Sequence, residues 1–243
     1  MSHRNPPAID LGQPAPARRR VKSVLHRGIV TGTIPGGTRL VQASIAQELA
    51  VSTRLVRDAL RELAAEGFVR LDRRGGAVVH ELCRSELEDI FQIRRMLEPV
   101  AAARAATFAT RTAILQAGEV IAAMDTETAG ARWAEHNSRF HGLLDEAGGS
   151  PRLAAILANL RELSNRYTTH SVTAEPSRAR RGNAEHREIL RAVIARDPVA
   201  AADAMLAHLD ARLGTLRGIH QVGAPPPAGQ RSAGPRGPRR GRG

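Results

Sequence analysis

Apolar positions recur every three or four residues along most of this chain, and only one segment switches to strict alternation. In "RRRVKSVLHRGIVTG" the stripe Val21, Val24, Leu25, Ile29 predicts a helix that ends at Gly32. "IPGGTRL" reads as a turn entering a short extended piece, and "QASIAQELA" as a short helix with Ile45, Ala46 and Leu49 inward. A tight turn at Val51-Ser52 leads into "TRLVRDALREL", whose apolar face is Leu55, Val56, Ala59, Leu60 and Leu63. Ser52 suits the N-cap of that helix, and Arg54, Arg57 and Arg61 fall on its opposite face. "FVRLDRRGGAVVHE" alternates apolar and polar on both sides of Arg73-Arg74-Gly75-Gly76, the pattern of a hairpin.

From Arg84 onward the period is helical throughout. The spacing predicts six helices at about 84–109, 111–127, 129–147, 150–172, 176–196 and 198–219, divided by breakers such as Gly148-Gly149-Ser150 and Asp197-Pro198. Short connections between such helices imply an antiparallel bundle, and Pro99 should kink its first member. The fold class expected is therefore mainly α: an N-terminal winged helix-turn-helix over 18–82, then an all-helical antiparallel bundle over 83–220. The Pro-rich stretch 1–17 and the Arg/Pro/Gly tail 221–243 lack periodicity and read as disordered.

Charge sharpens this division. The chain carries 36 basic and 24 acidic residues, for a net +12. From Arg18 to His80 there are 12 basic and 5 acidic residues, whereas Arg84 to His220 holds 18 and 17. Attraction to a polyanion is thus concentrated in the first part and in the tail, which has five arginines and no acid. A helix that follows a tight turn can enter the major groove of DNA, where arginine pairs bidentately with guanine. A single cysteine, Cys83, excludes an internal disulfide and a cysteine-rich zinc site. No uncharged apolar run approaches the roughly 18 residues that a membrane span needs, so a cytoplasmic protein, nucleoid-associated when bound to DNA, is expected.

The near-neutral bundle carries polar residues where apolar ones belong. The inward stripe of 129–147 is Trp133, Ala134, Asn137, Phe140, His141, Leu144. His186 lies among Ile189, Leu190 and Val193, and His208 among Met205, Leu209 and Leu213. Taken singly each histidine reads as a hydrogen-bonded core residue. Taken as a set on three helices they can converge on a divalent metal such as zinc and leave positions open for a ligand. Arg94 interrupts the stripe Leu87, Ile90, Phe91, Leu97, Ala101. It either pairs internally with Glu98 one turn away or faces a cavity and takes an effector carboxylate bidentately.

These residues resemble the GntR family of bacterial transcription regulators, in the FadR-like branch with a C-terminal FCD ligand-binding domain. The resemblance covers about 18–219. In the first part it rests on "IVTGTIPGGTRL", "IAQELAVSTRLVRDALRELAAEGFV" and the glycine-tipped wing. In the second it rests on "IRRMLEPVAAARAA", "NSRFHGLLDEAGGSPRL" and "EHREILRAVIARDPVAAADAMLAHL". It implies a homodimeric repressor-type regulator on a palindromic double-stranded DNA operator, and a helical domain that senses a small carboxylate metabolite. By position, DNA contacts fall on Ser44, Ser52, Thr53, Arg54, Arg57, Arg73 and Arg74. Thr53 and Arg54 stand in the reverse of the family's usual Arg-Thr order. A divalent metal is implied at Asn137, His141, His186 and His208, with Asn137 standing where the family has an aspartate.

Two other classes compete. A metal-dependent hydrolase could use the three histidines, but it needs a general base, and no Asp or Glu falls among the inward residues placed near them. A nonspecific DNA-compacting protein would suit the arginine tail, yet it has no use for a polar cavity in a near-neutral domain.

Overall fold

The computed structural model describes residues 14–73 and 76–222. The order of elements is α1 (Pro14–Val30), β1 (Arg39–Leu40), α2 (Gln42–Glu48), α3 (Thr53–Ala65), β2 (Val69–Leu71) and β3 (Ala77–Val79), followed by helices only. These are α4 (Arg84–Phe108), α5 (Arg111–Thr126), α6 (Gly130–Ala147), α7 (Pro151–Ala174), α8 (Ser177–Ile194) and α9 (Pro198–Val222).

α1 begins at Pro14, so residues 14–17 are helical and do not belong to a disordered extension. The reason is packing: Ala17 continues the buried row Val21, Leu25, Ile29 at intervals of four, whereas Val24, expected on that row, is 53% exposed. The expectations for 1–13 and 223–243 lie outside the described residues.

Four residues, 49–52, make the turn between α2 and α3. Ala50 adopts φ 51° and Val51 N–H donates to the Ala46 carbonyl at 2.9 Å, which closes α2. Ser52 Oγ then accepts from Leu55 N–H at 3.4 Å and caps α3. At the far end, Gly67 (φ 86°) supplies the left-handed residue and Phe68 N–H bonds back to Leu63. The three strands form one antiparallel sheet in the order β1-β3-β2, with Leu40 and Leu71 both opposite Ala77. Leu25, Val56, Leu60, Leu63, Phe68 and Val79 form the core between this sheet and α1–α3.

A second core fills the space among α4–α9, around Leu87, Phe91, Met124, Trp133, Phe140 and Leu209. α4 runs unbroken through Pro99 and packs along α9, while α6 packs on α7 and α8 on α9. Among the described residues, no helix is long and apolar enough to cross a membrane. α7 touches both cores. Its Leu163 packs against the first core, with methyls 3.5 and 3.6 Å from where a Cβ on Gly67 would sit. Asn159 Nδ2 donates to the Glu66 carbonyl at 3.2 Å, His26 Nε2 lies 3.1 Å from Glu162, and Tyr167 donates to the Leu82 carbonyl at 2.8 Å.

The wing is closed by the Asp72 N–H bond to the Gly76 carbonyl at 3.0 Å and by the Asp72 carboxylate. Its Oδ1 accepts from Gly76 N–H at 2.9 Å, and Oδ2 pairs at 2.9 Å with Arg39 of β1, the other edge strand. Asp72→Ala should therefore lower the free energy of unfolding by about 1–2 kcal/mol, read as a reduced urea midpoint at unchanged slope. An unmoved midpoint would show that the wing closes without it.

Candidate functional site

The side chains expected to meet DNA are exposed wherever they are described. Ser52, Thr53, Arg54 and Arg57 are exposed at the start of α3, and Arg61 continues the row with Asp58 3.9 Å away. Ser44 is exposed in the first turn of α2, and Arg73 is exposed just beyond β2. Arg74 lies outside the described residues. The opposite face of α3 buries Val56, Ala59, Leu60 and Leu63, so packing fixes which way the arginines point.

The three histidines converge. One ligand atom from each of His141 (α6), His186 (α8) and His208 (α9) lies within 4.8 Å of the others. The ring centroids are 5.2 Å apart for His141–His186 and His141–His208, and 4.8 Å for His186–His208. All three are buried, at 1%, 0% and 0% exposure. Burial pushes each imidazole well below its ordinary pKa and keeps the rings neutral, aided at His141 by the other two histidines, Arg161 and Arg94, and at His186 and His208 by Arg212. Five of the six ring nitrogens have no hydrogen-bond partner: both of His141, both of His186, and Nε2 of His208. Buried polar atoms are rarely left unpaired, and three neutral imidazoles turned on one another are a donor set that fits a divalent cation.

Asn137 is buried one turn before His141, and its Oδ1 accepts a hydrogen bond from Arg212 Nη1 at 3.2 Å. Arg212 also lines a cavity of about 120 Å³ with Trp133, Thr168, Ser171, Arg178, Arg181 and Glu185. Burial pulls the Arg212 guanidinium down to about 10, so it keeps its charge at neutral pH. Arg178 and Arg181 share one carboxylate, Glu175, at 2.7 and 2.9 Å. Hydrogen bonds from Ser177, Arg181 and Arg178 hold that carboxyl at about 2. Two features join cavity and histidines: Glu185 Oε2 is 2.7 Å from His208 Nδ1, and Trp133 stacks over His186 with centroids 6.2 Å apart.

Arg94 takes the internal of its two expected positions. Nε donates to Glu98 Oε1 at 2.7 Å and Nη1 to Ser164 Oγ at 3.3 Å, with Phe91 beneath the guanidinium. It does not line the cavity; Arg212 does. The expectation that no acid stands near the histidines is corrected as well. Glu98 has no exposed surface, and its Oε2 lies 3.5 Å from His141 Nδ1. Burial alone would raise its pKa, but Arg94 and Arg161 bring it below the ordinary carboxylate value. A carboxylate so held is a poor general base, and Glu185 is taken up by His208.

Hydrophobic periodicity passes over most of this network because α7 turns a polar stripe inward. Arg161, Ser164, Asn165, Thr168 and Ser171 are all buried. Arg161 bonds Asp145 of α6, a carboxyl that burial pushes up to about 7, and lies 3.5 Å from Glu98. α7 also carries an apolar row, Leu157, Leu160, Leu163, Tyr167 and Val172, and that row masks the polar one beside it. Arg212 had a positive signal, its place one turn after His208.

Comparison with known proteins agrees with this architecture. Residues 17–79 match the family described as bacterial regulatory proteins, gntR family, and residues 89–211 match the FCD domain. The chain is 26% identical over 204 residues to the uncharacterized HTH-type transcriptional regulator YdhC of Bacillus subtilis, covering 82% of this chain and 91% of that one. It is 43% identical over 79 residues to the gluconate operon transcriptional repressor of Bacillus subtilis, a match to 32% of each chain. Among solved structures, Escherichia coli McbR/YncC superposes with a TM-score of 0.74 at 20% identity, over 84% of this chain and 98% of that one. With a winged helix joined to a histidine-bearing bundle and both family patterns in that order, the chain belongs to the gntR family of bacterial regulatory proteins, in the branch that carries an FCD domain.

Proposed function

We propose that this regulator binds a palindromic operator as a homodimer and changes its hold on DNA when a small carboxylate enters the bundle. The observation that carries the reading is the set of five unpartnered imidazole nitrogens beside a cavity with three arginines. On this reading the chain divides near residue 82, with DNA binding before it and sensing after it. The neighbouring gluconate operon repressor favours repression as the sign of control.

On DNA, α3 lies in the major groove. Arg54 and Arg57 reach base edges, Ser52, Thr53 and Ser44 meet phosphates, and Arg73 and Arg74 approach with the wing. A second copy has a surface to cover: Ile93, Met96, Val100 and Phe108 form an exposed apolar line on α4, 43–69% accessible.

In the bundle, His141, His186 and His208 would hold a divalent ion such as zinc. When bound, that ion supplies a Lewis-acidic centre for a carboxylate oxygen. Asn137 orients Arg212, which pairs with the effector's carboxylate from the cavity side, while Arg94 stays with Glu98 as internal support. An Asn in place of an Asp leaves the ligand set one negative charge short, so an anionic effector suits it. α7 carries the response, because Arg161 and Ser164 face the site while Asn159, Glu162 and Leu163 grip the winged helix. Coupling requires only that the effector bind the two arrangements of α7 unequally.

Two outcomes are expected. Arg57→Ala should weaken operator binding by about 1–3 kcal/mol in a gel-shift titration, with helicity unchanged by circular dichroism. Operator binding as tight as wild type would remove Arg57 from the interface. In thermal melting, small carboxylic acids should stabilise the zinc-loaded protein and leave the chelator-stripped protein unmoved. At a hundred times Kd the gain is about 2.7 kcal/mol. His208→Ala and Arg212→Ala should each abolish it. Equal stabilisation of the stripped protein would separate the effector from the metal, and no stabilisation by zinc would return the histidines to a packing role.

A further inference from the structure

Asn137 leaves three neutral imidazoles and an amide to face a dication, so negative charge must come from somewhere else in the bundle. Two buried or half-buried carboxylates already point at the histidines from behind. Glu185 Oε2 stands 2.7 Å from His208 Nδ1. When Glu185 is ionised it can only accept, and the bond then puts the His208 proton on Nδ1 and leaves Nε2 bare. That Nε2 is buried and unpartnered. On the other side, Glu98 Oε2 lies 3.5 Å from His141 Nδ1, and each of these two atoms lacks a hydrogen-bond partner. Glu98 keeps this oxygen free because its other one, Oε1, takes Arg94 at 2.7 Å and lies 3.5 Å from Arg161. His186 has no carboxylate partner among the described residues, and its ring meets those of Trp133 and Phe140.

We propose that Glu98 and Glu185 are positioning residues of the histidine site: each holds a proton on the Nδ1 of its histidine, so that Nε2 of His141 and of His208 faces the ion. Together they return to the site, one shell out, the negative charge that Asn137 withholds from it. Carboxylates behind metal-bound imidazoles fix ring orientation and raise ligand basicity. The inference rests on the metal reading above and specifies how the site works in this chain. A purely structural role for Glu98, as counter-ion to Arg94 and Arg161, predicts something different. Asp145 serves the same arginine network through Arg161, and among the described residues no hydrogen bond or ion pair joins it to a histidine, so it is the matched control.

The test is zinc competition against a chromophoric chelator, paired with nitrogen-15 NMR of the histidine rings in the zinc-free protein. Glu98→Gln should bind zinc about 10–100-fold more weakly, while Asp145→Asn stays within about threefold of wild type. Glu185→Ala should weaken zinc to a similar degree and release the His208 tautomer. Glu185→Gln keeps an acceptor at Nδ1 and should restore the tautomer with part of the affinity. Wild-type spectra should show the proton of His141 and His208 on Nδ1. A proton on Nε2 in either ring, or undiminished zinc affinity in both Glu98→Gln and Glu185→Ala, overturns the assignment while leaving the metal reading intact. Failure of the wild-type protein to take up zinc overturns the metal reading and this role together. If Glu98→Gln does not fold, the Glu185 variants and the wild-type spectra decide the question alone.

Discussion

A carboxylate with no access to water organises this bundle. Glu98 carries its charge in the interior between the guanidinium groups of Arg94 and Arg161, and Arg161 continues to Asp145. Removing such charges from water costs several kcal/mol per ion, and only close opposite charges with filled hydrogen bonds offset it. The partners come from three helices, α4, α6 and α7, so the requirement for charge balance fixes how those helices face one another. An apolar seam tolerates sliding of one helix along another; this network does not. Its free oxygen is the one turned to His141. The demand that orders the helices therefore also presents an anion to the histidine cluster.

The same demand explains why α7 belongs to both halves of the molecule. Its inward residues Arg161, Ser164, Asn165, Thr168 and Ser171 are buried, and Arg161, Ser164, Asn165 and Ser171 have polar partners there. Its outward residues hold the winged helix by a few contacts: Leu163 beside Gly67, Asn159 on the Glu66 carbonyl, Glu162 on His26. The second set is small and half-exposed, the kind of contact that opens at low cost. A change in the polar network is thus met by a rigid helix on one side and a yielding junction on the other.

Sequence pattern made the elements legible to within a few residues because nearly every helix has one apolar stripe and a clear stop. Gly148-Gly149 and Asp197-Pro198 end helices where expected, and the histidine trio emerged because each member interrupts an otherwise apolar row. The start of α1 was misplaced because prolines at its first turn read as disorder, although proline there is compatible with helix. Glu98, Glu185 and the α7 polar stripe were hidden for a common reason. Periodicity reports which residues avoid water, and these are buried by their partners and not by their own hydrophobicity. Who those partners are is a property of helix packing, and no spacing along one helix encodes it.

The charge inventory around the histidines gives the strongest argument for what the site awaits. Arg94, Arg161 and Arg212 face Glu98, Asp145 and Glu185, and burial keeps the three imidazoles neutral. Without an added ion the arginines are matched in number by carboxyls, of which Asp145 is only part-ionised near neutral pH because burial lifts it to about 7, and five imidazole nitrogens remain buried and unpaired among the described residues, a cost to stability. On the reading proposed above, a divalent ion would pair those nitrogens and add two positive charges. The cavity then offers Arg212 on its inner wall and a surplus of positive charge for an anion to neutralise. Metal and carboxylate each relieve what the other creates, so their binding should be cooperative, and the regulator would read the acid only when the ion is in place.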